Sequence, residues 1–274
     1  MVFEQIYQTK WLESKPWYAF LLGVFYSILG MVIALFLFPE EPSFAAITFT
    51  TMALIPSLNK LFALEANEIA SEEKLTLKRL WKDHYDVFLI YLFIFLGVMV
   101  VFSFFSLALP SKFIQYAFKH QVGVYYGLTG NAANAGFTFS SIFFHNLKIV
   151  IVCLILSLLY GAGSVFLIVW NASAWGVIFA TIARDSVGQE SPIIFFILLM
   201  ISVAPHMILE AMAYFAAVIS GGVISKATVR EHFGSFRFKE LMLDGFYIFI
   251  LALLIVFAAA FVEVYVFPFI SFIS

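Results

Sequence analysis

The segment Ser191–Ser225 restricts what this chain can fold into more than any other stretch. It reads SPIIFFILLMISVAPHMILEAMAYFAAVISGGVIS and is almost wholly apolar. As a helix it extends roughly 50 Å, against a bilayer hydrocarbon core of about 30 Å. One straight crossing cannot accommodate it. Pro205, well inside the run, removes a backbone donor and predicts a helix break there. His206 and Glu210 follow immediately, far from both ends. Ionisable side chains at such depth are costly and seldom occur without a purpose.

The rest of the chain has the same character. Of its 274 residues 63% are hydrophobic and 12% charged, where a soluble domain is about half apolar and about a quarter charged. The predicted fold is therefore all-α: a polytopic integral membrane helical bundle of six to seven spans, forming one transmembrane domain with a broken helix near Pro205. The net charge of −2 and the lack of an arginine-rich face argue against nucleic acid as a partner. A single cysteine, Cys153, excludes an intrachain disulfide framework.

Taken in order, residues 1–16 place Phe3, Ile6, Tyr7 and Trp11 at helical spacing, which predicts a short interfacial prelude. Trp17–Phe38 reads as the first span, long and without a small-residue cleavage pattern, and so retained as an anchor. After the turn Pro39–Pro42, Phe44–Phe62 reads as the return span. A charged helical loop over 63–86 leads to a third span, Tyr85–Leu109. The segment 110–146 is read as an extracytoplasmic loop with short interfacial helices. Lys148–Trp170 is the fourth span, Asn171–Ala183 a short piece that either crosses or re-enters, and Leu241–Phe267 the last span.

Basic residues set the expected orientation. With the N-terminus inside, Lys10, Lys15, Lys60, Lys74, Lys78, Arg79, Lys82, Lys226, Arg230, Arg237 and Lys239 face the cytoplasm. Only Lys112, Lys119, Lys148 and Arg184 lie on the other side. The positive-inside rule then gives a multi-pass cell-membrane protein with a cytoplasmic N-terminus and an extracytoplasmic C-terminus.

His206 and Glu210 stand four residues apart and share a helix face, which Ala213, Ala217, Gly221 and Ser225 continue. Small residues at that spacing let helices approach closely, so the face is expected to pack on another helix or on a second copy. The fourth span offers a matching stripe in Cys153, Ser157, Gly161 and Ser164. Two roles fit the polar pair. It exchanges a proton, an ion or a hydrogen bond during a conformational change, or it only braces the break at Pro205. Asn171 joins the intramembrane polar site if it lines a cavity at that break, and is a helix cap if it does not. Asn146 reads as a cap, and Glu263 as a group reaching outer interfacial water. The pair has too few ligands for zinc, and no HExxH run is present. No nucleophile–base pair, phosphate-cradling loop or dinucleotide motif was found. The expectation is a protein without catalysis and without cofactors.

Two stretches carry a resemblance. FSSIFFHNLKIVIVCLILSLLYGAGSVFLIVWNASAWG (139–176) and APHMILEAMAYFAAVISGGVIS (204–225) resemble the stage II sporulation protein M family, in particular its archaeal members. Asn146, Gly161, Gly163, Asn171 and Gly176 match the first part of the family pattern. Pro205, His206, Glu210, Gly221 and Gly222 match the second, while Met207 stands where that pattern has glycine. The resemblance implies a polytopic scaffold that assembles membrane-protein partners. A transporter using His206 and Glu210 is the alternative.

Overall fold

The computed structural model describes residues 15–68, 77–124, 138–186 and 191–266, and of residues 59–68, 77–83 and 162–163 the backbone alone. Residues 1–14 of the prelude expected at 1–16, and the packing of Gly163, lie outside the described residues and side chains. The described chain is helical: α1 (Tyr18–Leu37), α2 (Pro42–Glu68), α3 (Leu77–Ala108), the short α4 (Ser111–Ala117), α5 (Phe139–Tyr160), α6 (Val165–Asp185), α7 (Pro192–Arg230) and α8 (Phe236–Phe261). Six of these are long and apolar enough to cross a membrane, and a shorter apolar helix covers Pro42–Leu58. Their outward faces carry Phe25, Phe36, Leu159, Ile201 and Leu254, all exposed, as lipid contact requires.

The bundle is organised around α7. From Ala213 to Gly221 every residue is buried, because α8, α5, α6 and α3 surround that half of the helix. Apolar residues on every face mark such a central helix. Asn146 of α5 meets Glu210 and Tyr214, and Ser157 meets Val218, so α5 and α7 run in the same direction. The Ser220 hydroxyl donates to the Gly245 carbonyl at 2.6 Å while Glu263 reaches Glu210, so α8 runs the opposite way.

The small-residue row does close a helix contact. A Cβ at Gly221 would fall 2.6 Å from the Leu154 carbonyl oxygen and 2.7 Å from the Ser157 Cβ. Ser157 then donates to the Val218 carbonyl at 2.6 Å, across the same gap. Ala213, Ala217 and Gly221 are buried, so this part of the face is filled within one chain, while Ser225 at its end is half-buried. Gly176 plays a similar part between α6 and α3, where an added Cβ would sit 2.7 Å from the Met99 carbonyl oxygen.

Three boundaries differ from expectation. First, the span read as Lys148–Trp170 is two helices joined by a tight turn at Gly161–Ser164. Gly161 has φ +57° and ψ −118°, a conformation open to glycine without strain. Hydropathy runs straight through glycines, so it hid the turn. Second, α5 begins at Phe139 rather than Lys148, because Thr138 and Ser141 form a reciprocal capping box. Third, α7 continues through Pro205 without a break. Pro205 is exposed, and membrane helices tolerate the one lost bond when the rest of the backbone stays paired.

Two polar clasps hold helix ends. The Arg184 guanidinium on α6 donates to the Ser106 and Leu109 carbonyls at 2.8 and 2.5 Å and to the Ser111 hydroxyl at 2.9 Å. It thereby caps the carbonyl end of α3 and ties it to α4. Arg184→Met is expected to cost about 2 kcal/mol, read as a lowered midpoint of thermal unfolding in detergent. At the α1–α2 turn, Glu41 receives Lys119 Nζ at 2.9 Å and lies 3.0 Å from His120 Nε2.

Those two partners hold the Glu41 carboxyl below the usual carboxylate range. Its contribution is therefore present above that range and lost as pH falls through the depressed value. Because the site is exposed, the effect is small. Thermal melts of Glu41→Gln should lack a weak acid-limb decline that the wild type shows.

Candidate functional site

A buried polar cluster lies where α5, α7 and α8 meet. Glu210 on α7 is 8% exposed, Asn146 on α5 is 5% and Tyr214, one turn beyond Glu210, is 2%. Asn146 Nδ2 donates to Glu210 Oε1 at 2.5 Å, and its Oδ1 accepts from the Tyr214 hydroxyl at 2.9 Å. An amide carries a donor and an acceptor on one planar group, so this one side chain satisfies both neighbours and fixes its own orientation. The Glu263 carboxyl, just past α8, lies near Glu210. It lies in Val262–Val266, where the chain winds as a π-helix. Such windings re-aim side chains and recur at functional positions.

The structure redistributes the residues expected at the site. Glu210 stands in this cluster beside Asn146 and Glu263. His206 is half-buried one turn before Glu210. Asn171 is neither a cap nor a member of the cluster. It lies inside α6, and its Nδ2 donates to the Leu167 carbonyl one turn back at 2.8 Å. Asn146 is likewise no cap but a residue in the body of α5. Glu263 turns inward, against the expectation that it reaches interfacial water.

Tyr214 was missed altogether, and so was Asp244 on α8, which is 1% exposed. The spacing of Tyr214 from Glu210, four residues along a predicted helix, was the signal available. No local signal pointed from Glu210 to Glu263.

The exposed state of the two acids predicts unequal costs on removal. Glu210→Ala would leave the Asn146 amide without its acceptor in a fully packed region. Glu263→Ala empties a half-buried position at a helix end. The first should lower the thermal midpoint in detergent by at least twice as much as the second, an expected gap of about 1–2 kcal/mol.

Six long apolar helices and a buried, cross-linked polar cluster define the class: a polytopic helical membrane protein whose ionisable groups face its interior. Residues 87–268, from α3 onward, match the family model of stage II sporulation protein M, and the chain belongs to that family. No curated protein and no solved structure matches it.

Proposed function

We propose that this protein is an integral membrane scaffold or assembly protein with no catalysis of its own. The observation that carries the reading is how its buried polar groups are used. Asn146, Ser157 and Ser220 each bond across to a neighbouring helix, so these groups join α5, α7 and α8 to one another. Such polar bonding and small-residue contact yield a rigid body, which suits a part that positions others. Family membership supports the same role, and its partners would be other membrane proteins or a second copy. The excess of lysine and arginine in the segments assigned inside supports a cytoplasmic N-terminus and an extracytoplasmic C-terminus. Topology reporters fused at residues flanking α1 and α8 test that orientation.

One observation favours transport instead: two carboxyl groups meet within the apolar bundle. Proton and cation flux in proteoliposomes separates the readings. The scaffold reading expects no flux in wild type, together with a membrane protein recovered at fixed stoichiometry after cross-linking in native membranes. Flux that disappears in Glu210→Gln would establish transport and overturn it.

A further inference from the structure

The turn between α7 and α8 leaves apolar side chains uncovered. Gly234 takes φ +84°, which glycine adopts without strain, and the Ser235 hydroxyl accepts from the Phe238 amide at 3.1 Å. The reversal is therefore tight: α7 ends at Arg230 and α8 begins at Phe236. Such a turn has no interior in which to hide a ring. Phe233 is 92% exposed, more than any other large apolar side chain among the described residues, and Val229 and Phe236 on either side of it in the chain are exposed too. The Phe233 ring is nonetheless braced: it lies 4.8 Å from that of Phe238, which packs against the bundle core.

Positive charge surrounds these side chains. Residues 226–240 carry four basic groups, on Lys226, Arg230, Arg237 and Lys239, against the acids Glu231 and Glu240. Glu231 is engaged with Arg237, 3.2 Å away, an ion pair that ties the end of α7 to the start of α8. Arg230 and Lys239 are exposed, as the two phenylalanines are. The depth of the turn follows from the apolar runs beside it, which stop at Ser225 and resume at Leu241. From Ser225 to Glu231 an upright helix climbs roughly 9 Å, and a tilted one less. The headgroup layer on each side of a bilayer is about 5–8 Å deep. The tip therefore stands at headgroup level. Water there suits the charges but not the rings, and a soluble acidic partner would have to reach both through the headgroups. Rings at the acyl boundary beside cations that meet phosphates are the combination that binds an anionic membrane surface.

We propose that the α7–α8 turn is a docking site for anionic lipid: Phe233 and Phe236 insert at the acyl boundary, and Arg230 and Lys239 engage the lipid phosphates. The orientation proposed above sets the turn in the cytoplasmic leaflet, where anionic lipids are enriched. Such a site serves a scaffold and a transporter alike, so it stands apart from the choice between them.

The test attaches a fluorophore at His232→Cys, an exposed position on the turn, in the full chain in phosphatidylcholine nanodiscs; the native Cys153 is buried and stays in place. Tracer phosphatidylglycerol or tracer phosphatidylcholine, each spin-labelled high on the acyl chain, is added, and quenching by the two is compared. Phosphatidylglycerol should quench at about one-fifth of the concentration that phosphatidylcholine needs, the factor expected when one lysine or arginine meets an anionic lipid. Arg230→Gln combined with Lys239→Gln should bring the two curves together. Phe233→Ser combined with Phe236→Ser should weaken quenching by both lipids, because the tip then lifts away from the acyl chains. All four positions are exposed, so each variant should keep the thermal midpoint of its parent. Equal quenching by the two lipids in the parent overturns the proposal. So does no quenching by either, as a turn facing water or covered by a protein would give, and so does a preference that survives Arg230→Gln with Lys239→Gln.

Discussion

Gly221→Leu is expected to separate α7 from α5 and to lower stability by about 3 kcal/mol, read as a fall in the thermal midpoint in detergent. Overpacking a filled core costs about 1–3 kcal/mol. The upper end applies because the obstacle is backbone. The first added carbon would lie 2.6 Å from the Leu154 carbonyl oxygen, and a helix carbonyl cannot rotate aside as a flexible side chain can. The shift would also pull Ser157 away from the Val218 carbonyl, losing a bond across the same interface. Gly123→Ala is the control, since an added Cβ there meets nothing within 4 Å among the described residues. It should be neutral or slightly stabilising, as helical alanine is preferred to glycine. Equal losses in the two variants would show that α7 and α5 are not in close contact.

Asn146→Leu should cost a comparable amount by a different route. The side chain is nearly isosteric, so packing is largely kept while both hydrogen bonds go. Glu210 then has no amide donor, and the Tyr214 hydroxyl has no acceptor, in a region where neither reaches water. Each stranded buried group costs about 1–3 kcal/mol, and the expected total is about 3 kcal/mol. Asn171→Leu provides the contrast. It forfeits one bond to a carbonyl of its own helix, and that carbonyl also serves the helix ladder. Its cost should stay near 1 kcal/mol or less. Similar midpoints for the two asparagine variants would remove Asn146 from the centre of the cluster.

These two predictions also mark how far the sequence could be read. The row Ala213, Ala217 and Gly221 and its counterpart at Cys153 and Ser157 were legible, because small residues at helical spacing reveal a close-packed face. The structure places Gly221 against Ser157, whereas Gly161 and Ser164 of the same expected stripe fall in the turn that ends α5. Glu210 was legible as a buried acid from its place in an apolar run. Asn146 was not: an amide near the expected start of a span looks the same as a helix cap. Only the capping box at Thr138 and Ser141 moved that start back and placed Asn146 inside the helix.

The apolar runs by themselves determined an all-helical membrane bundle, for a simple reason. Transfer into lipid is nearly a sum over residues, and an unsatisfied backbone there permits little besides helix. The turn at Gly161, the unbroken passage of α7 through Pro205 and the meeting of Glu210 with Asn146 and Glu263 were decided by tertiary structure alone. A buried carboxyl in an apolar bundle requires a partner, but nothing in its local sequence says which. The partners lie 64 residues before it and near the far end of the next helix, and only the relative rotation and direction of three packed helices brings them to one point.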